Sequence, residues 1–203
     1  RDTGESVTYR ELIVGIHALS GKLRTLLSQT ESTVGLLMPN SIAHVLALFA
    51  LIGLKKTPAL LNFSTGTQNV VDCADNAKVK TVLTSRTFIE KGGLDVLAKR
   101  LSEGHRLVYL EDVAATIGWP DKLLGLWRQW RGDCREGRPD SRLILFTSGT
   151  EGKPKGVVLS HNAILANINQ VASIIDYTPT DRMLTVLPMF HAFGLMAGVL
   201  LPL

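Results

Sequence analysis

Apolar residues along this chain switch between two spacings, and the switching spells out helices and strands in alternation. Near the start, Leu12, Ile13, Ile16, Leu19, Leu23 and Leu26 recur at the three-to-four-residue interval of one helix face. Thr8 and Glu11 stand just ahead of them as a capping box, a hydroxyl and a carboxylate able to hold each other's backbone N–H. The run Val34 to Met38 then reads as a buried strand. Asn40 or Ser41 caps an apolar helix reaching about Leu54, and Thr57 to Leu61 is the next strand. The pattern repeats as a helix near Gln68 to Ala77, a strand Thr81 to Thr84, a helix near Thr87 to Leu101 and a strand Leu107 to Leu110. Alternation at this pitch predicts an α/β fold, with mostly parallel sheets covered by helices.

From Gly118 to Arg142 the character changes. All three tryptophans, Trp119, Trp127 and Trp130, fall here among scattered charges, and Leu123, Leu124, Trp127 and Trp130 share one face of a short helix. Two readings stand: a surface helix packed on the body, or a docking surface for an acidic carrier protein or a membrane, since tryptophan beside arginine suits both. Beyond it, Leu143 to Phe146 and Val157 to Leu159 read as strands, and Asn162 to Ile175 as a helix that Ser160 caps. Met183 to Leu187 reads as another strand, and a loop from Pro188 to Gly194 leads into a terminal helix. The expected organisation is a first α/β subdomain over 1–117, a variable connection over 118–142 and the start of a second α/β subdomain over 143–203.

The chemistry concentrates in Leu143 to Gly156, LILFTSGTEGKPKG. A buried strand runs into a loop that suits phosphate. Gly149 and Gly152 carry no Cβ to hold an anion off the backbone N–H groups, Thr147, Ser148 and Thr150 offer hydroxyls, and Lys153 and Lys155 add positive charge. The common triphosphate fingerprint needs four residues between its glycines and a following Lys-Ser or Lys-Thr, whereas Gly149 and Gly152 have two between them. Because β-like sequence resumes at Val157, the loop is expected to join two strands instead of opening a helix. On composition alone, a glycine-rich hairpin with solvated lysines remains open.

The segment from Phe146 to Val157, FTSGTEGKPKGV, resembles the signature loop of the adenylate-forming enzymes, the superfamily of acyl-CoA synthetases, luciferases and peptide-synthetase adenylation domains. A second motif of that superfamily follows in the right order as LPMFHAFG, Leu187 to Gly194, and the segments Val7 to Ile13 and Val34 to Gly53 are similar to its opening helix and first strand and helix. A narrower resemblance, carried by Thr81 to Val113 and Glu151, is to the synthetase half of the bacterial bifunctional 2-acylglycerophosphoethanolamine acyltransferase/acyl-[acyl-carrier-protein] synthetases. The resemblance implies an incomplete N-terminal domain of the adenylate-forming fold, with ATP and Mg²⁺ as cofactors. It implies a fatty acid as substrate, and acyl carrier protein, or alternatively coenzyme A, as the accepting thiol. It assigns the β- and γ-phosphates of ATP to Thr147, Ser148, Gly149, Thr150, Glu151, Gly152, Lys153 and Lys155. His191 is placed near the carboxylate and nucleotide, although read without the motif it is an ordinary structural histidine. The family's adenine, ribose and C-terminal lysine motifs do not occur in this stretch, nor does the His-x-x-x-x-Asp motif of the acyltransferase half. Contact with a membrane or lysophospholipid is therefore expected only of a longer protein.

Bulk properties narrow the field a little further. With 203 residues and 45% hydrophobic composition, the chain can bury a sizeable core. It begins at Arg1 and ends on the apolar run Met196 to Leu203, which reads as a fragment of something larger. The net charge of +4 is spread without a Lys/Arg block, which argues against nucleic-acid binding. Cys73 and Cys134 lack metal-ligand spacing and fit a reducing cytoplasmic setting, or the cytoplasmic face of the inner membrane for the full-length protein. The most apolar window, Ile42 to Leu61, is interrupted by His44, Gly53, Lys55, Lys56 and Pro58, too broken for the about 20 apolar residues of a membrane span.

Overall fold

The computed structural model describes residues 6–131, 141–147, 154–178 and 180–203. Its elements in chain order are α1 (Tyr9–Leu26), β1 (Thr33–Leu36), α2 (Ile42–Gly53), β2 (Thr57–Leu60), a 3₁₀ turn (Phe63–Thr65), α3 (Thr67–Asn76), β3 (Thr81–Thr84), α4 (Arg86–Lys91), α5 (Asp95–Ser102), β4 (Arg106–Tyr109), α6 (Leu110–Ala115), α7 (Trp119–Arg131), β5 (Arg142–Thr147), β6 (Lys155–Ser160), α8 (His161–Ala172) and α9 (Ala192–Leu195), which continues into a π-helical turn at Met196–Leu200. The strands form one six-stranded sheet in the order β4-β3-β1-β2-β5-β6. The first five strands are parallel, and β6 returns antiparallel to β5. The α/β expectation holds.

Side chains alternate across each strand, so the sheet has two apolar faces and needs a cover on both. Val34, Leu36, Leu60, Leu83, Val108, Leu143 and Leu145 face a core completed by Leu19 and Leu23 of α1 and by Leu48 and Leu51 of α2. Ala59, Val82 and Ile144 face the other core, with Val70 and Ala74 of α3 and Leu97 and Leu101 of α5. The chain steps from β1 to β2 on one side, then crosses back over β1 to β3. That reversal puts α2 and α3 on opposite faces, the arrangement in which ligands bind beyond the carboxyl ends of the strands.

Local signals place the helix starts well. The Thr8 hydroxyl accepts from Glu11 N at 3.2 Å while Thr8 N donates to Glu11 Oε2 at 2.7 Å, which completes the capping box. Ser41, not Asn40, caps α2 by accepting from His44 N at 3.2 Å, and Ser160 caps α8 by accepting from Ala163 N at 3.2 Å.

Three expectations need correction. The helix over Thr87 to Leu101 is two helices, α4 and α5. Gly93 adopts φ 61°, a left-handed conformation that ends helices, and Leu94 N reaches back to Ile89 O at 2.9 Å. Leu110, expected to close β4, instead opens α6, whose first turn carries Glu111 and Asp112 against the positive end of the helix dipole. The stretch Met183 to Leu187 is not a strand, because no strand among the described residues gives it a ladder. Two of its polar groups find partners elsewhere: Thr185 Oγ1 donates to Gly198 O at 2.8 Å, and Leu187 O accepts from Asn40 Nδ2 at 2.9 Å.

Candidate functional site

The phosphate-loop segment is anchored by a hairpin. β5 and β6 pair from Arg142 opposite Ser160 to Thr147 opposite Lys155, so the loop joins two strands as expected. Thr147 and Lys155 are exposed at the open end of the ladder. The other candidate phosphate contacts, Ser148, Gly149, Thr150, Glu151, Gly152 and Lys153, lie outside the described residues. Because β5 runs parallel to β2, Thr147 marks the carboxyl edge of the sheet. Lys155 forms no ion pair among the described residues.

The second motif is held at the same edge. Asn40, just beyond the carboxyl end of β1, donates through Nδ2 to Leu187 O and accepts through Oδ1 from Met189 N, both at 2.9 Å. One amide side chain thus grips the backbone on both sides of Pro188. Only β2 separates β1 from β5, so at a strand spacing of about 4.8 Å the strand that leads to Asn40 and the strand that leads to Thr147 are about 10 Å apart. By sequence alone Asn40 is only a possible helix cap. Its actual partners lie 147 and 149 residues away, beyond the reach of any local signal. Asn40→Ala should cost about 2 kcal/mol, the penalty for leaving Leu187 O and Met189 N unpartnered. Urea unfolding of the full-length protein would show it, with Asn40→Asp intermediate because Oδ1 still accepts; a wild-type midpoint for Asn40→Ala would contradict the grip.

His191 precedes α9, with its N–H donating to Pro188 O at 3.0 Å and its carbonyl accepting from Leu195 N at 2.9 Å. Its ring is exposed on one side and lies 4.8 Å from the buried ring of Phe190, tilted by 59°. Phe190 meets Phe63 edge-on at 5.0 Å, and Phe63 meets Phe88 at 4.9 Å. This chain of rings ties His191 to the core. Of the two flanking aromatics, Phe190 makes the ring contact, whereas Phe193 is 70% exposed. No group among the described residues hydrogen-bonds to the imidazole nitrogens of His191, which leaves them available to a ligand.

His44, not singled out by the sequence reading, is the most perturbed titratable group at this edge. Its Nδ1 lies 3.1 Å from Pro39 O, while Nε2 is buried without a hydrogen-bond partner among the described residues. Desolvation lowers its pKa to about 4 despite the bond to Pro39. An unfolded chain titrates this histidine near its ordinary value, so it binds more protons than the folded chain between about pH 4 and 6.5. Stability should therefore fall as pH drops through that window, by about 3 kcal/mol in full. Denaturant midpoints measured at pH 7 and pH 4.5 should differ less in His44→Gln; an equal difference would remove His44 as the cause.

The remaining candidates are structural. His161 opens α8, and buried His105 sits with Nδ1 2.9 Å from Val79 O. Cys73 is a free buried thiol whose pKa is pushed up to about 11 by burial and then by Asp72. Cys134 lies outside the described residues. Among the described residues no three His, Cys, Asp or Glu side chains gather as a metal site, and no helix is long and apolar enough to cross a membrane. Mg²⁺ commonly rides on nucleotide phosphates with only one or two protein carboxylates, so the absence of a carboxylate cluster among the described residues does not conflict with it.

The family model for AMP-binding enzymes matches residues 1–203, the whole chain. The chain belongs to the AMP-binding enzyme family. Among its relatives, the 2-succinylbenzoate–CoA ligase of Listeria monocytogenes is 29% identical over 194 residues, covering 95% of this chain and 37% of that protein. A probable CoA ligase of Humulus lupulus is 48% identical over 61 residues, 30% of this chain and 10% of that one. The fold is shared with the o-succinylbenzoate CoA synthetase of Bacillus subtilis, solved with its acyl-adenylate intermediate, at a TM-score of 0.74 and 21% identity over 96% of this chain and 47% of that one. A second structure of that enzyme holds ATP and magnesium ion. The chain spans less than half the length of these proteins.

Proposed function

We propose that the full-length protein activates a fatty acid with ATP and passes the acyl group to a phosphopantetheine thiol. In the first step a carboxylate oxygen attacks the α-phosphorus, the bond to the bridging oxygen breaks, and pyrophosphate leaves. In the second step the thiol attacks the acyl carbonyl and AMP leaves. The observation that carries this reading is the hairpin stem. It presents Thr147 and Lys155 side by side at the carboxyl edge of a sheet, directly flanking the glycine- and hydroxyl-rich loop, in a chain that matches its family from end to end. Two anions must approach each other in the first step. Lys155, Lys153 and the loop's N–H and hydroxyl donors, Thr147 to Gly152, offset their repulsion by holding the β- and γ-phosphates; Mg²⁺ on the same phosphates would supply further charge. His191, fixed by Phe190 and by the Asn40 grip on Leu187 and Met189, offers a ring nitrogen to the carboxylate or nucleotide.

The resemblance of Thr81 to Val113 and of Glu151 favours acyl carrier protein as the acceptor, with onward transfer to a lysophospholipid. Coenzyme A is the second reading, favoured by the CoA ligases among the relatives. Fatty-acid-dependent exchange of labelled pyrophosphate into ATP, measured on the full-length protein, tests the activation step. Acyl transfer assayed with each thiol separates the two acceptors. No exchange with any fatty acid would leave a non-catalytic nucleotide-binding module.

A further inference from the structure

A cavity of about 990 Å³ opens between α1, the start of α2, α4, α6 and α7, at the upper end of the roughly 300–1,000 Å³ usual for small-molecule sites. Its wall is apolar, built from residues such as Val14, Leu19, Leu46, Phe88, Leu110 and Leu126. Two carboxylates also line it, each tied to its own neighbours, but Glu111 Oε2 is buried with no hydrogen-bond partner among the described residues, so an anionic head has to sit away from it, toward the exposed cations. Glu11 is closed in the capping box with Thr8, and Glu111 Oε1 accepts from Ser85 Oγ at 2.6 Å and from Thr87 N at 3.4 Å. Two cations on the wall, Arg10 and Lys91, are exposed and form no hydrogen bond or ion pair among the described residues. Trp119 also lines the cavity yet is 80% exposed, and α7 carries Leu123 and Trp130 exposed beyond it. Indole rings at the edge of an apolar space suit a boundary between water and hydrocarbon.

We propose that this cavity binds a single-chain amphiphile with an anionic head, the chain lying against the apolar wall and the head meeting Arg10 and Lys91. An apolar chain gains by leaving water for such a wall, and an unpaired guanidinium and ammonium at the rim select carboxylate or phosphate over a cationic head. The site is separate from the phosphate hairpin and does not depend on the adenylation reading.

The test uses the full-length protein and a photoreactive palmitate with a mid-chain diazirine, with labelled peptides mapped by mass spectrometry. Label is expected on α1, α6 and α7. Ala114→Trp, placing an indole in the cavity from an exposed helical position, should lower that labelling at least tenfold without changing the melting temperature. Arg10→Glu with Lys91→Glu should raise the half-saturating concentration about tenfold. A trimethylammonium analogue of the same chain should label weakly. Labelling confined to other elements, indifferent to Ala114→Trp, or equal for both heads would overturn the proposal. Labelling by dispersed palmitate identifies free fatty acid as a source. Labelling only from phosphatidylcholine vesicles carrying the probe identifies a lipid surface, with α7 as the entry. Pyrophosphate exchange measured on the same variants keeps the two questions apart: exchange without cavity labelling removes this site alone, and cavity labelling without exchange removes the adenylation reading alone.

Discussion

Replacing Gly194 by alanine is expected to destabilise the full-length protein by about 3 kcal/mol and to lower fatty-acid-dependent exchange about a hundredfold. A Cβ at this position would stand 2.8 Å from Leu187 O and 2.9 Å from Pro188 C, and closer still to Pro188 O. All three atoms are backbone, so no side-chain rotation relieves the clash. The two carbonyls are also committed, Leu187 O to Asn40 and Pro188 O to the His191 N–H. To admit the methyl group, α9 must move away from the turn, and His191 moves with it because its carbonyl accepts from Leu195 N. A reacting group displaced by about 1 Å can cost a hundredfold. Gly198→Ala is the useful comparison. Its Cβ meets the Thr185 side chain instead, which can turn aside at the cost of the Thr185 Oγ1 bond to Gly198 O, so the loss should be smaller, about 1 kcal/mol. If Gly194→Ala melted and turned over like the wild type, the tight turn around His191 would play no part.

How much of this was readable beforehand follows from the range over which each signal acts. The capping box at Thr8 and Glu11, the strand at Thr81 to Thr84 and the cap at Ser160 are set within a few residues and lie where the sequence put them, and of the two caps it offered for α2, Asn40 and Ser41, the structure uses Ser41. The break between α4 and α5 was also local, in Gly92 and Gly93, but apolar spacing runs on across it through Ile89, Leu94, Leu97 and Leu101 and hides the stop. Met183 to Leu187 shows the converse. It reads as a strand in sequence, a short apolar run ended by Pro188, yet a strand exists only where another offers hydrogen bonds, and none of the six does.

The site divides in the same way. Thr147, Lys155 and His191 stand out as candidates in the sequence because their motifs are contiguous. Asn40 and His44 were passed over because their significance is tertiary: Asn40 acts on Leu187 and Met189, and His44 stands out only once burial strips water from Nε2. The amphiphile cavity is assembled from five helices, none of which carries it alone.

Lys155→Ala should lower exchange by about a hundred- to a thousandfold while leaving stability within about 0.5 kcal/mol of the wild type. The two effects separate because Lys155 contributes to the sheet only through its backbone, opposite Thr147, while its exposed side chain has no ion-pair partner among the described residues. Removing that ammonium costs the fold little. On the proposed function it would remove a positive charge from beside the leaving pyrophosphate, where negative charge accumulates as the bond to the α-phosphorus breaks, and one preorganised donor in such a place carries about 3–4 kcal/mol. Lys155→Arg should recover part of the rate, because the charge returns on a planar fork in place of a compact ammonium. Lys78→Ala, an exposed lysine on the turn after α3, should change nothing. An equal fall in Lys155→Ala and Lys78→Ala, with Lys155→Arg unchanged, would point to general electrostatic attraction of ATP, and an unaltered rate in Lys155→Ala would take this lysine out of the phosphate site. Loss confined to Lys155→Ala, with partial rescue by arginine, is the outcome the hairpin geometry requires.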